Sequence, residues 1–579
     1  MVEKNSISTA SVTHQVMWNR LISIVEEQAQ ALIRTAFSTS VREAGDLSAG
    51  VYDVGGQMLA QAVTGTPGHV NSMAAAVGHF ITDIGAENMY EGDVLITNDP
   101  WKGTGHLHDI TVVTPAFYKN QLIGFLACTC HVVDIGGIGF TADANSVFEE
   151  GLYIPLMKFA DKGQINEVFL NIVRANVREP DQVVGDIFAL MNCNAVGHKR
   201  LTEMMDEFKL SDITALADFI LENSRRATLE KIKALPRGQA QASMTIDGYH
   251  DPIKLQMAIE IKQDVIICDF EGTDGIDRKG INVPLVYTQA YACYALKCAL
   301  APEIPNNAAS LAPFVITAPE NSIVNALPPA PVALRHIIGH FIPDIVYNAL
   351  DKVVPGIVPT EGAGALCNFH LSVRPSQDEA ELKNADISSL RRAEVLTFNS
   401  GGTGARPHLD GLSTTAFPSG VMTMPVESTE NAGPVVIWRK ELAQDSGGDG
   451  EFRGGLGQHM EVGVLAGHEY DFSAMLDRVN HPARGRQGGG AGKPTYIALD
   501  DGTRLKGKGK QTVPLGRKVI LEFPGGGGYG LARKRDPEKV KGDLAKGYIS
   551  RERAGEVYGL SERKISDILD KVERGDYDD

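Results

Sequence analysis

The sequence lacks the cysteine pattern of a disulfide scaffold or of a thiolate metal cluster. It has seven cysteines in 579 residues, an odd number, and none of them form a CxxC pair. Small secreted folds usually have even cysteine sets, and thiolate zinc sites need paired ligands at short spacing. We therefore expect reduced thiols and a cytoplasmic protein.

Long apolar runs and excess positive charge are also missing. No stretch of about eighteen apolar residues occurs, so no membrane-spanning helix is expected. The polar start MVEKNSISTASVTHQ lacks the apolar segment of a signal peptide. The net charge is −17, which argues against binding nucleic acid through its phosphates. A GxxxxGK[ST] phosphate loop is absent, so ATP is not expected to bind through such a motif.

Glycine is abundant, and it punctuates strand-like runs in the C-terminal third of the chain. The 61 glycines indicate many turns and close backbone passages. The length exceeds that of one compact core, so several domains are expected. The pattern predicts an α+β, multidomain fold. Its parts are a mixed α/β metal-site domain (1–240), a middle α/β domain (241–393), a β-rich domain (394–530) and a helical C-terminal tail (531–579).

Residue periodicity predicts the elements of the N-terminal domain. Apolar residues recur at helical spacing over 14–37, and the pattern from 164 to 235 is mainly helical. Residues 94–97, 110–117 and 122–133 are rich in β-branched and apolar side chains and predict strands. Ionisable side chains between and beside these strands are therefore brought together.

The densest group of potential metal ligands lies at 97–137. It consists of His106, His108, Asp109, His131 and Asp134. Along a strand, side chains alternate between faces, so His131 points away from Cys128 and Cys130. That favours a site of histidines and carboxylates over one of histidine and thiolate. An extended chain would align His106 with His108, whereas a turn would align His106 with Asp109.

Three other segments carry a functional and a structural interpretation. The segment REAGDLS (42–48) places a carboxylate inward or forms a solvated turn. His69 precedes a predicted helix and either binds an anion or substrate carbonyl or caps the helix. The run PGGGGYG (524–530) forms a phosphate-binding backbone nest or a tight passage between strands.

A dozen short motifs, spread in order over almost the whole chain, carry a family resemblance. They include REAGDLS (42–48), TNDP (97–100), HVVDIGG (131–137), EEGLYIP (149–155), NVREP (176–180), DFEGT (269–273), PENSIVNALPPAPV (319–332), DSGGDGEFRGGLG (445–457) and PGGGGYG (524–530). Together these stretches resemble the hydantoinase B/oxoprolinase family. The resemblance implies an enzyme subunit that acts on a cyclic amide such as a hydantoin, oxoproline or lactam. It also implies a hetero-oligomer with a hydantoinase A-type subunit, which uses ATP to phosphorylate the carbonyl.

The resemblance also implies a ligand set for one divalent metal. The family pattern is a histidine, a carboxylate three residues on and a second histidine about 25 residues on. It corresponds to His106, Asp109 and His131, since 131 − 106 = 25. An upstream carboxylate completes the set, with Asp46 as the first choice and Glu43 as the second.

The same resemblance leaves His108 and Asp134 as catalytic or supporting residues beside the metal, with Glu43 as a further candidate. Two neutral histidines and two carboxylates suit Zn, with Mn or Fe(II) as alternatives. Such a metal would activate water for attack on the phosphorylated carbonyl. Two rival interpretations remain: a subunit of an ATP-dependent ketone carboxylase, and a non-catalytic scaffold with a structural metal.

Overall fold

The computed structural model describes residues 9–364, 366–378 and 390–575. Its helices are α1 (Thr9–Thr35), α2 (Thr39–Arg42), α3 (Pro67–Ile84), α4 (Val147–Glu150), α5 (Glu167–Asn176), α6 (Pro180–Phe208), α7 (Thr214–Lys233), α8 (Leu285–Leu300), α9 (Ala308–Leu311), α10 (Arg335–Gly339), α11 (Ile342–Val353), α12 (Val426–Ala432), α13 (Pro537–Ala545), α14 (Arg551–Glu556) and α15 (Glu562–Arg574). The α+β class expected from the sequence is confirmed.

Within the described residues, the strands form four sheets. In chain order they are β1 (Leu47–Tyr52), β2 (Met58–Gln61), β3 (Val94–Thr97), β4 (Asp109–Tyr118), β5 (Gln121–His131), β6 (Met157–Asp161), β7 (Gln164–Ile165), β8 (Gly238–Ile246), β9 (Ile253–Ile261), β10 (Ile266–Asp269), β11 (Phe314–Thr317), β12 (Asn368–Pro375), β13 (Ala393–Thr397), β14 (Val435–Leu442), β15 (Gln458–Val464), β16 (His468–Met475), β17 (Tyr496–Leu499), β18 (Lys508–Thr512) and β19 (Val519–Glu522). The predicted strands at 94–97, 110–117 and 122–133 are confirmed to within two residues.

A seven-stranded antiparallel sheet, in the order β2-β1-β5-β4-β3-β6-β7, forms the N-terminal part. Alternation along β5 sends Leu126 to a core with α1, α6 and α7, and sends Phe125 and Ala127 to a core with α3. Both faces are therefore covered by helices. The ends of β4 and β5, where the predicted ligands lie, are buried as a result.

The middle part is a four-stranded sheet, β11-β10-β9-β8, covered by α8, α10 and α11. The sequence predicts helical character over 332–350, and the structure divides this segment into α10 and α11. Pro343 stands in the first turn of α11, where its missing N–H costs no hydrogen bond. The break places Arg335 and His336 on a short helix of their own, directed at the N-terminal sheet.

The C-terminal β-rich part consists of two antiparallel four-stranded sheets, β13-β12-β16-β18 and β14-β15-β19-β17, which share one apolar core. Glycines join them by close backbone passages. A Cβ on Gly525 would lie 1.8 Å from the carbonyl oxygen of Ser446, and one on Gly454 would lie 1.9 Å from that of Gly526. The glycine run at 524–530 thus follows the structural interpretation, a tight passage between strands.

The tail forms three helices where the sequence indicates two, and these helices share a small core of their own. Gly547 and Gly559 take left-handed conformations, with φ of 70° and 82°, and separate α13 from α14 and α14 from α15. Ser550 caps α14 by accepting a hydrogen bond from the N–H of Arg553.

The domain boundaries at 240, 393 and 530 stay predictions. The segment 376–386, which the sequence indicates as a linker, lies largely outside the described residues. Within the described ranges, no helix combines the length and the apolar character needed to cross a bilayer.

A buried ion-pair network joins the middle and C-terminal parts. Arg478 is 1% exposed, and its guanidinium donates to Asp344 of α11 at 2.9 Å and to Glu361 at 3.2 Å. It also lies over the ring of Phe341, 4.7 Å from the centroid. Because these carboxylates are buried, their ionised forms depend on positive partners: chiefly Arg478 for Asp344, and Arg478 together with Arg484 for Glu361.

We predict that Arg478→Met lowers the free energy of unfolding by about 3–5 kcal/mol, because it leaves two buried carboxylates without this partner. Chemical denaturation followed by circular dichroism measures the effect. Arg439→Met is the matched control. Arg439 is half-exposed and pairs with Glu461 at 3.5 Å, so its loss should leave the free energy of unfolding nearly unchanged. Equal losses for the two variants would contradict the prediction.

Candidate metal centre

Strand register brings two of the predicted ligands together. Asp109 begins β4 and His131 ends β5, and the antiparallel pairing sets them directly opposite each other. Opposed side chains on one face of a sheet lie about 5 Å apart at Cβ. Further main-chain bonds fix this end of β5, since His131 donates its N–H to the carbonyl oxygen of Asp46 at 3.2 Å.

His106 joins the pair from the loop before β4. Asn98 anchors this loop, because its amide donates to the carbonyl oxygens of Leu107 and Leu152 at 2.8 and 2.9 Å. The loop turns, and the two side chains meet as residues three apart. Nε2 of His106 lies 2.8 Å from Oδ1 of Asp109. The turned alternative is therefore the one the structure adopts.

The three side chains form a buried group suited to a metal ion. One ligand atom from each of His106, Asp109 and His131 lies within 4.8 Å of the others. Nδ1 of His131 is 3.1 Å from the same Oδ1 of Asp109 that faces His106. All three residues are at most 3% exposed, so water cannot replace their missing partners freely.

The donor set of His106 fits a bound cation. Its Nδ1 lies 2.7 Å from the carbonyl oxygen of Ala333, while its Nε2 faces Asp109. Burial and the nearby Arg335 lower the pKa of His106 to about 3, so the ring is neutral and has a single N–H. The ring nitrogen without a hydrogen then directs its lone pair at an oxygen, and the lone pairs of that oxygen face it in turn. A cation between Nε2 and Oδ1 removes that repulsion.

The second oxygen of Asp109 is held by positive groups. Oδ2 accepts from the guanidinium of Arg335 and lies 2.9 Å from Nε2 of His69. Burial alone would raise the pKa of Asp109, but His106, His69 and Arg335 hold it well below its usual range. Burial likewise opposes charge on His69, and Asp109 and Asp46 outweigh it to raise the pKa of this imidazole.

Asp46 borders the group on the side of His69. Its Oδ1 accepts a hydrogen bond from Thr66 Oγ1 at 3.1 Å and lies 3.7 Å from His69 Nε2. The side chain is buried and faces the same cavity as His106 and His131. Asp46 thus adjoins the three-residue group, and its role as the fourth ligand stays a prediction.

The structure separates the three predicted catalytic residues. His108 is fully buried and its ring stacks on that of His131 at 5.4 Å, with neither nitrogen hydrogen-bonded within the described part of the chain. Asp134 accepts from Arg178 at 2.7 Å and from the N–H of Gly136 at 3.0 Å, so it does not orient His131. Glu43 lines a different, surface cavity beside Arg42.

The sequence did not assign to the centre a further set of residues, from the middle part, that line its cavity. They are Tyr287 of α8, Arg335 and His336 of α10, and His340 just after it. Arg335 lies over the ring of Tyr287 at 4.1 Å, and the Tyr287 hydroxyl is 3.4 Å from Nε2 of His340. The spacing of His336 and His340, four residues apart in a helical segment, was the available signal. Nothing in the sequence linked that segment to β4 and β5.

The enclosed space at this centre is small. Its volume is about 20 Å³, and its walls include Asp46, His69, His131 and His336. One water molecule needs about 10–15 Å³ of such volume, so the cavity takes one or two water-sized particles. An organic substrate does not fit within it in this conformation.

Comparison with known proteins agrees with the motif pattern. The model of the Hydantoinase B/oxoprolinase family matches residues 10–532. The chain belongs to this family. Among its relatives, the caprolactamase subunit beta of Pseudomonas jessenii is 26% identical over 579 residues, which cover 95% of this chain and 96% of that one.

Two solved structures share the fold. The crystal structure of an ATP-dependent caprolactamase from Pseudomonas jessenii has a TM-score of 0.84 and 25% identity, covering 96% of this chain and 98% of that one. A nucleotide-free acetone carboxylase also has a TM-score of 0.84, with 18% identity and coverage of 98% and 84%. The second likeness concerns the fold alone.

In this family member, Glu150 holds in place the main-chain segment that contacts His106. The carboxylate is fully buried and accepts from the N–H groups of Val332 and Ala333 at 2.6 and 2.8 Å. The carbonyl of Ala333 in turn contacts Nδ1 of His106. Burial raises the pKa of Glu150 to about 8 against these hydrogen bonds, so the group is largely protonated at pH 7.

We predict a pH-dependent stability that Glu150→Gln abolishes. The folded chain keeps the Glu150 proton up to a pH of about 8, whereas the unfolded chain loses it near 4.5. The contribution of Glu150 to stability is therefore greatest below pH 4.5 and falls as the pH rises towards 8, by about 3 kcal/mol between pH 4 and pH 7. Glutamine keeps the acceptor oxygen and does not titrate.

Denaturation curves at pH 5, 6, 7 and 8 for the wild type and for Glu150→Gln measure this difference. Glu149→Gln, at the exposed neighbouring position, is the control and should follow the wild type. A slope that persists unchanged in Glu150→Gln would show that another group carries it.

Proposed function

We propose that this chain is the metal-dependent hydrolytic subunit of an ATP-dependent cyclic amide hydrolase. Its substrate class is a hydantoin, oxoproline or lactam whose carbonyl a hydantoinase A-type subunit phosphorylates. The single observation that carries the proposal is the buried group of His106, Asp109 and His131, in a chain whose relatives include a caprolactamase subunit.

The named relatives support a division of labour between subunits. A caprolactamase relative is named as a subunit beta, and the caprolactamase of known structure is named as ATP-dependent. Phosphorylation of the carbonyl oxygen makes the carbon of an unreactive amide more electrophilic. Water adds to this carbon, and the C–N bond then breaks with a proton passing to the departing nitrogen, which leaves an acyl phosphate. A second water hydrolyses the acyl phosphate to the carboxylate and inorganic phosphate. The subunit proposed here carries out this hydrolysis, which requires a lasting complex, since such intermediates are labile in water.

His106, Asp109 and His131 would hold the divalent metal, with Asp46 as the fourth ligand. Zn is our first choice, and Mn or Fe(II) the alternatives, because imidazole and carboxylate ligands suit all three. When bound, such a metal supplies Lewis-acid activation of water at neutral pH.

Residues of the chain itself provide orientation and water exclusion. Arg335 fixes Asp109, and its Nε also donates to the carbonyl oxygen of Thr104 at 2.6 Å. His336 and His340 line the cavity, and burial lowers the pKa of both rings below the usual range. Each neutral imidazole offers one donor and one acceptor, which suits hydrogen bonding to a carbonyl or a single water.

The proton-transfer role stays with the residues proposed from the sequence, of which His108 adjoins the ligands most closely. Its ring centroid lies 5.7 Å from that of His106. Asp134 and Glu43 remain candidates only for a conformation in which they leave their present partners.

We predict that His131→Ala and Asp109→Asn each reduce the bound metal from about one equivalent to under a tenth and abolish turnover. The reason is that each removes one of the proposed ligands from the buried group. Elemental analysis of the protein purified with its A-type partner measures metal, and ATP-dependent opening of a lactam panel measures turnover. His250→Ala, at an exposed position, is the control.

Stability data separate catalysis from scaffolding. If the metal is only structural, His131→Ala should lower the melting temperature and the yield of the complex together. Loss of metal and activity with an intact complex supports the hydrolytic role. A fully active, metal-free His131→Ala protein would overturn the proposal.

The alternative function is that of a carboxylase subunit, and an acetone carboxylase shares the fold. Bicarbonate dependence separates this alternative from the hydrolase. We predict that a lactam supports ATP turnover at full rate in bicarbonate-free buffer, since water is the only co-substrate of hydrolysis. Acetone or acetophenone with bicarbonate should give no ATP turnover above background. The opposite pattern would favour carboxylation.

A further inference from the structure

A second, much larger cavity adjoins the metal centre. Its volume is about 500 Å³, against about 20 Å³ at the centre. It lies between the segment that enters α3 and one face of α8. A route by which a molecule reaches the metal centre rests on the proposed function, which places the reaction there.

Two chain segments form the wall between the cavities, and each contributes to both. In the first, Thr66 and His69 face the metal centre, while Gly65, Pro67 and Val70 face the large cavity. Thr66 also donates a hydrogen bond to the candidate ligand Asp46 at 3.1 Å. A single chain segment therefore separates the two cavities at this point.

The second segment behaves in the same way. Ser419 and Val421 face the metal centre, and Gly420 between them faces the large cavity. The two segments touch, since a Cβ on Gly420 would lie 3.7 Å from Cδ of Pro67. Gly420 has a φ of +76° and leaves this seam without a side chain.

Helix α8 leads from one cavity to the other. Tyr287 faces the metal centre, and Tyr294 and Cys298, seven and eleven residues on, line the large cavity. These positions share one face of a helix, and the eleven residues span about 16 Å along its axis. Cys298 is therefore far from the candidate ligands, although it lines the cavity that leads towards them.

The lining of the large cavity indicates the chemistry of its occupant. Most of its wall is apolar, including Pro67, Val70 and Tyr294. Its two charged residues are already paired: Nζ of Lys297 donates to two main-chain carbonyls, and Glu303 pairs with Lys231. An uncharged ring fits this wall better than a phosphate group does.

We propose that this cavity receives the uncharged ring of the substrate, and that the ring's reacting carbonyl reaches the metal centre between residues 65–67 and 419–421. The charged and polar end then faces Arg335, His336 and His340. The ring stays among apolar side chains. Access requires the two segments to separate at the Pro67–Gly420 contact.

A thiol label on the cavity wall tests this route. Cys298 is exposed, whereas the other six cysteines are buried, so a maleimide selects it. Desolvation raises the pKa of the Cys298 thiol, and labelling is therefore carried out at mildly alkaline pH. Mass spectrometry gives the stoichiometry, and the protein is the zinc-loaded complex with its A-type partner.

Three readouts follow N-ethylmaleimide treatment. Zinc release to dipicolinate should slow at least fivefold, and kcat/KM for a lactam should fall at least tenfold. Excess caprolactam should slow the labelling of Cys298 itself. In Cys298→Ser, the ratios of treated to untreated protein should stay at one.

Two further variants make the test specific to position. Cys298→Ser/Thr64→Cys returns a thiol to another part of the cavity wall and should restore the sensitivity. Cys298→Ser/Ser211→Cys places an exposed thiol elsewhere and should not. Complete labelling of Cys298 without any change in zinc release and turnover would overturn the proposal.

Failure of the proposed function gives a different result. If unlabelled complex opens no lactam, the hydrolase assignment fails, and the effect of the label on zinc release still decides the access route. If the purified chain holds no metal, the rate of zinc loading by labelled and unlabelled protein decides it in the same way.

Discussion

The arrangement of the centre depends on how one carboxylate, that of Asp109, is shared. Its Oδ1 faces His106 and His131, and its Oδ2 faces Arg335 and His69. A fully buried carboxylate is costly unless positive groups surround it, and here the two oxygens have different partners. The side of His106 and His131 has the geometry for a cation. The opposite side is already compensated by the guanidinium.

This division explains why distant parts of the chain meet at the centre. Arg335 belongs to α10, yet its charge is needed next to β4, and its Nε is bound to the main chain before β4. Glu150, through Val332 and Ala333, holds the segment that precedes α10. The N-terminal part therefore supplies the candidate metal ligands, and the middle part supplies the groups that make their burial tolerable. The ion pairs of Arg478 in turn hold α11 against the C-terminal sheets.

Local sequence patterns predicted the strands and several residues of the candidate site. Contacts between distant parts of the chain could not be predicted in this way. The strands 94–97, 110–117 and 122–133 followed from β-branched runs, and alternation correctly separated His131 from the cysteines. Residue chemistry did not decide whether His106 turns towards Asp109, and the family spacing did. Arg335, His336 and His340 escaped notice because more than 200 residues separate them from β4, and one sequence carries no information on which helix covers which sheet end. Asp134 lies near the histidines in sequence, but in the fold its carboxylate forms an ion pair with Arg178.

The difference in size between the two cavities bears on the chemistry we propose. Hydrolysis of a phosphorylated amide needs one water in position, and bulk water would consume the intermediate wastefully. A space of about 20 Å³ beside the ligands limits water to one or two molecules. A space of about 500 Å³, separated from the centre by residues 65–67 and 419–421, has room for the ring. Because Thr66 belongs to the first of these segments and also binds Asp46, movement that admits a substrate also shifts a candidate ligand. In the proposed access route, substrate entry and the geometry of the candidate metal centre are thereby coupled through a single short segment.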